Sequence, residues 1–194
     1  MSIPFPPLAG ERRNQYLLMR HGHSEANRQR CIVSAPARGI DGFGLSALGQ
    51  AQLDELLNDW PLAVPSRIVH SDFLRTTQTA ARVAQRFGVE MQDEVRLRER
   101  YFGELEGEGD HRYGEVWALD AEDASHRGHG VESLASVAAR MLALLGELES
   151  RYRGETLLLV GHGDPLQILL AELAGDVRRH REREPLAPAA LVEL

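Results

Sequence analysis

Three short stretches of this 194-residue chain end an apolar run in side chains that do chemistry. Leu17-Leu18-Met19 runs into Arg20-His21-Gly22. Ile68-Val69 runs into His70-Ser71-Asp72, with Arg75 close behind. Thr156–Val160 runs into Gly161-His162-Gly163-Asp164. In a parallel sheet the carboxyl ends of the strands share one rim, so the stretches would meet there. Two arginines and two histidines gathered away from water are costly without an anion. A phosphoryl group fits best. Guanidinium groups pair its oxygens bidentately, and a neutral imidazole can attack phosphorus. Gly22 is expected to let the backbone turn tightly and approach the ligand.

The positioning elements follow from periodicity. Strands are predicted at Tyr16–Met19, Arg67–Val69 and Thr156–Val160, with Ala189–Leu194 as a final strand at the sheet edge. Helices are predicted at Ser46–Asp59, Asp72–Phe87, Glu132–Arg151 and Pro165–Leu173. Ser46 is a candidate cap, and Gly88 stops the second helix. The alternation implies α/β architecture: a three-layer α/β/α sandwich on a mainly parallel sheet. The length suits a single domain over residues 1–194. The proline-rich residues 1–13 read as a loose arm and not as a signal peptide. The polar, glycine-rich segment 103–130 shows little period and reads as an insertion over the site.

Four motifs, in order, resemble the histidine phosphatase superfamily, in its phosphoglycerate-mutase-like branch. They are Arg20-His21-Gly22-x-Ser24-x-x-Asn27, Ser71-x-x-Leu74-Arg75-x-x-Gln78-Thr79-Ala80, Leu97-Arg98-Glu99-Arg100-Tyr101-Phe102-Gly103-x-Leu105-Glu106-Gly107, and Gly161-His162-Gly163. The resemblance spans about Gln15 to Leu173. It implies that His21 is the nucleophile and that Glu99 is the proton donor. It implies that Arg20, Arg75 and a protonated His162 face the equatorial oxygens, with Asn27 and Gly163 as neutral donors. No metal and no cofactor are implied. His23 and Gly161 depart from the usual residues at positions that do no chemistry.

Glu99 poses a problem of acidity, because Arg98 and Arg100 flank it and cations lower a carboxyl pKa. In an extended segment both arginines point away from the face that bears Glu99. The charge of a bound substrate would then raise its pKa. The stretch after Gly107, Glu108-Gly109-Asp110-His111-Arg112, is mostly acidic and lacks the basic residues with which mutases hold a second anion. The expected function is therefore a metal-independent phosphatase acting on a phosphate monoester of a small metabolite, with a neutral or cationic leaving group. A phosphoglycerate-type mutase is the first alternative. A non-catalytic regulatory member, or one directed at phosphoproteins, is the second.

Composition narrows the setting. The net charge of −7 argues against nucleic-acid binding. All 22 basic residues are arginine, which excludes Schiff-base chemistry on the chain. The single cysteine, Cys31, suits a reducing cytoplasm. No apolar run is long enough to span a membrane. The oligomeric state stays open, a homodimer included. His21-x-His23 lacks the further clustered ligands of a metal site. Asn27 has the plainer reading of a helix cap. His70, His111, His126 and His129 read as exposed or structural. His129 is the strongest exception, because Gly128 and Gly130 would let its loop close on a leaving group.

Overall fold

The computed structural model describes residues 12–194, so the expected arm lies outside the described residues except for Arg12 and Arg13. A five-stranded sheet has the order β3-β2-β4-β1-β5. Its strands are β1 (Gln15–Arg20), β2 (Arg67–His70), β3 (Met91–Asp93), β4 (Thr156–Gly161) and β5 (Leu191–Glu193). The first four are mutually parallel, and β5 runs antiparallel on the edge beside β1. β4 is central, and Leu157 to Val160 are wholly buried. That continuous apolar run is what a strand covered on both faces requires.

Alternation along the strands sorts the two cores. Tyr16, Leu18, Leu157 and Leu159 pack under α6 (Leu134–Arg151) and α7 (Gly163–Leu173). Leu17, Met19, Leu158 and Val160 pack under α3 (Ala47–Asn58) and α4 (Leu74–Phe87). This is the expected three-layer sandwich. Ser46 caps α3 by accepting from the Gly49 N–H, and Gly88 ends α4 at φ +68°.

The differences are local. α4 begins at Leu74 rather than Asp72, because Phe73 is extended. α7 begins at Gly163 rather than Pro165, with the proline in its first turn, where its missing N–H costs nothing. Short elements escape the periodicity argument: α1 (Glu25–Gln29), α2 (Pro36–Gly39) and β3. Segment 103–130 contains a regular helix, α5 (Tyr113–Glu122). Its fully buried positions are Val116 and Asp120, so a carboxylate interrupts the apolar face that would have revealed it. Among the described residues no helix is long and apolar enough to cross a membrane.

Register sets the rim. Arg20 pairs with Gly161, and Met19 and His70 both pair with Val160. The His21 N–H donates to the Gly161 carbonyl at 3.0 Å, and the Ser71 N–H to the Val160 carbonyl at 3.0 Å. The three strand ends thus finish level with one another.

Candidate active site

His21 follows β1 and is buried. Its Nδ1 donates to the Gly22 carbonyl at 2.8 Å, which leaves Nε2 as a lone pair. Arg75, from the first turn of α4, places its Nε 3.2 Å from His21 Nε2 and 3.2 Å from His162 Nδ1. One guanidinium N–H is therefore shared between two imidazole acceptors. His162 Nε2 donates to Ser71 Oγ at 2.9 Å. Burial first, and the Arg75 charge second, hold both imidazoles well below the usual histidine range. These shifts favour the neutral form of both rings in the absence of an anion, whereas the protonated His162 was expected with a phosphoryl group in place.

Arg75 Nη2 donates to the Val33 carbonyl at 3.0 Å, and Arg20 Nη1 to the Leu186 carbonyl. Arg75 Nη1 and Arg20 Nε are buried and have no partner among the described residues. Both arginines face one cavity of about 390 Å³. Buried donors without acceptors are costly, so this pair marks where an anion belongs.

Glu99 enters from the segment after β3. Its Oε2 lies 3.7 Å from His162 Nδ1 and 3.8 Å from Arg75 Nη2. Burial raises its pKa to about 7, against the pull of Arg75 and with help from Asp164. Arg98 turns away onto Asp72, at 2.5–3.1 Å, and Arg100 onto Asp120. The flanking arginines thus avoid the carboxyl as expected. The source of the shift differs: burial supplies it without substrate.

Asn27 lines the cavity and also closes a capping box, its Oδ1 accepting from the Ser24 N–H at 3.0 Å and Oγ at 2.9 Å. The cap reading is thus seen directly, and the donor reading places Asn27 at the cavity. Gly163 lines the cavity beside Arg20. Gly22 has a packing purpose. A Cβ there would stand 3.1 Å from the Gly49 carbonyl oxygen, so it lets the loop pack on α3. Among the insertion histidines, His111 lines the cavity. His129 stands at φ +57° with Nε2 3.9 Å from Glu115, outside the cavity lining. His126 sits 2.6 Å from Asp120, and His70 is buried with Nδ1 on the Ser71 carbonyl at 2.8 Å.

Sequence reasoning missed the outer wall. Arg181 lies 3.7 Å over the Trp117 ring, and its Nη1 donates to Gln167 Oε1 at 2.7 Å. Trp117 Nε1 and Gln167 Nε2 are buried donors without a partner among the described residues. Arg30 lines the same wall and faces Asp110. Gln167 was findable, being four residues after Gly163 and so on the same helix face. Nothing in the run Arg178-Arg179-His180-Arg181 singles out Arg181. Cys31 also borders the cavity, with burial raising its thiol pKa away from nucleophile range.

Known proteins resemble this chain in sequence and in fold. A glucosyl-3-phosphoglycerate phosphatase of Mycobacterium tuberculosis is 31% identical over 175 residues, covering 84% of this chain and 76% of the relative. A probable phosphoglycerate mutase, GpmB, of Yersinia enterocolitica is 32% identical over 174 residues, covering 87% and 78%. The native structure of a mycobacterial glucosyl-3-phosphoglycerate phosphatase matches with a TM-score of 0.77 at 26% identity, over 92% of this chain and 88% of that one. The structure of that phosphatase with VO3 matches at 0.77 and 27% identity, over 93% and 90%. The family profile covers residues 16–194, and the chain belongs to the histidine phosphatase superfamily (branch 1).

Proposed function

We propose that this chain is a metal-independent phosphatase that hydrolyses a phosphate monoester of a small metabolite through a phosphohistidine on His21. The observation that carries this reading is the shared Arg75 N–H. It fixes Nε2 of His21 as the unprotonated nitrogen, beside the cavity where Arg75 Nη1 and Arg20 Nε lack acceptors, and it gives way when Arg75 turns to the phosphoryl oxygens. His21 Nε2 attacks phosphorus in line. The N–P bond forms as the P–O bond to the alcohol breaks, and protonated Glu99 gives its proton to the leaving oxygen. Arg20, Arg75, Asn27 and the Gly163 N–H at the start of α7 take the equatorial oxygens. His162 is neutral until the phosphoryl dianion draws a proton onto Nδ1. Water then attacks phosphorus, the N–P bond breaks, and Glu99 takes the water's proton.

Segment 103–130 acts as a cap, supplying Asp110, His111, Tyr113 and Trp117 to the cavity. The outer wall refines the leaving group. Arg181, Trp117 Nε1 and Gln167 Nε2 are all donors, so they suit an alcohol rich in oxygen acceptors rather than a cationic one. The lone cysteine agrees with a cytoplasmic enzyme. A mutase is the second reading. Arg30 and Arg181 supply, from outside the cap, cations that could hold a second anion. A panel of sugar phosphates, phosphoglycerates, nucleotides and phosphoamino acids decides between them by phosphate released against isomer formed. Turnover by His21→Ala would sink the phosphohistidine route.

A further inference from the structure

Arg100 is the largest wholly buried side chain among the described residues, yet it stays outside the substrate cavity. Its guanidinium is bound on every side. Nη1 and Nη2 reach the two oxygens of Asp120 at 2.7 and 2.8 Å. Nε donates to the Glu132 carbonyl at 2.7 Å, and Nη1 also faces Asp164 Oδ2 at 3.4 Å. Asp120 belongs to α5, Glu132 leads into α6, and Asp164 lies two residues after His162 on α7.

The Glu99 carboxyl has one hydrogen bond among the described residues, the Arg100 N–H to Oε1 at 2.9 Å. The direction of that carboxyl is therefore set by a backbone group whose own side chain is held from three elements. Stability does not account for such a cluster. A buried ion pair is often no more stabilising than apolar residues of the same volume. What a bidentate arginine provides here is fixed geometry.

We propose that Arg100 is a positioning residue which, through Asp120 and Asp164, holds Glu99 in line with His162 and makes that alignment depend on α5. The inference rests on the reading of Glu99 as the proton donor. Docking of α5 then completes the acid as well as the cavity wall. Asp120 acts through Arg100 and touches no reacting atom.

The test uses the full chain in single-turnover mixing with two esters. One is 4-nitrophenyl phosphate, whose leaving group departs without a proton. The other is glycerol phosphate, whose alkoxide needs one. Asp120→Asn is expected to slow release of glycerol about tenfold and of nitrophenol less than about twofold. On a Glu99→Gln background the same change is expected to cost less than about twofold for glycerol, because the two residues act as one unit. Equal slowing of both esters, no slowing of either, or a loss that adds fully to that of Glu99→Gln overturns the inference. Arg100→Lys, which keeps the charge but loses the fork, decides by the same comparison if Asp120→Asn does not fold. Wild-type protein that turns over neither ester would sink the phosphatase reading as well. Equal slowing removes the positioning role alone.

Discussion

Gly163 sits against the Arg20 guanidinium, where an added methyl would stand 3.2 Å from both Cζ and Nε of the arginine. The absent side chain is thus part of how Arg20 is aimed. Gly163 opens α7, and alanine is the better helix former. Gly163→Ala should leave the melting temperature unchanged or slightly raised. It should lower kcat/KM about tenfold, as the guanidinium shifts by a few tenths of an ångström off the phosphoryl oxygens. Steady-state kinetics beside a thermal melt check the split, and a parallel loss in both would count against it.

Gly49 is more demanding. A Cβ there would lie 2.0 Å from the His23 carbonyl oxygen, which is backbone and cannot rotate away. Gly49→Ala should destabilise the fold by about 3 kcal/mol, the upper range of overpacking. That corresponds to a melting point lower by roughly 10 °C. Activity measured well below the melt should also fall, since the displaced loop carries His21. Calorimetry and kinetics on one preparation read both effects.

Glu99 sets the alkaline side of the pH response. Burial lifts its pKa from 4.5 to about 7, so the folded protein keeps a proton that the unfolded chain releases. The stability from that proton is complete below about pH 4.5 and is lost as the pH rises through about 7. Glu99→Gln should therefore stabilise the fold by on the order of 3 kcal/mol near pH 8–9 and by almost nothing near pH 4. Urea midpoints of the two proteins at both pH values check this. On an alkyl ester the wild-type kcat should decline through about pH 7, and Glu99→Gln should lower it about a hundredfold or more.

His21 and His162 act on the acid side with the opposite sign. Their pKa values are depressed, so the unfolded chain gains protons below about pH 6.5 that the folded one refuses. Stability should fall as the pH drops from there. His162→Gln should flatten that fall. An acid unfolding curve as steep as the wild-type one would contradict the assignment.

On the proposed function, Arg181 addresses the leaving group and not the phosphate. Arg181→Gln should raise KM about tenfold for esters whose alcohol carries carboxylate or several hydroxyls, with kcat little changed. For 4-nitrophenyl phosphate it should change neither. A uniform loss across esters would place Arg181 in folding or in the chemistry instead.

Much of this was legible because the chemistry sits at strand ends. Leu157 to Val160 announced a central strand, and the glycines around His162 marked its end. Glu99 was legible as a candidate through the resemblance, but its raised pKa was not, because burial depends on what α5 and α7 lay over it. α5 was hidden by Asp120, a carboxylate on an inward face that pairs with Arg100, outside the helix. Arg181 was hidden for the converse reason. It lies in a charged run of ordinary appearance and matters only because the chain returns it over Trp117. The packing of Gly22 on α3 was not legible, because a glycine that admits a helix and one that admits a ligand look alike in sequence.

The edge strand β5 gives the fold a schedule. The segment leading into it carries the Leu186 carbonyl that steadies Arg20 and the Ala189 N–H that donates to the His21 carbonyl at 3.0 Å. Arg20 meets Leu186 across a sequence separation of 166 residues. A growing chain that has already made His21, Arg75, Glu99 and His162 therefore holds every reacting group without their final aim. Phosphoryl transfer should switch on late, with the docking of a strand that contributes no reacting atom. Contacts so distant in sequence are slow to form, so the aim of Arg20 is among the last features the fold acquires.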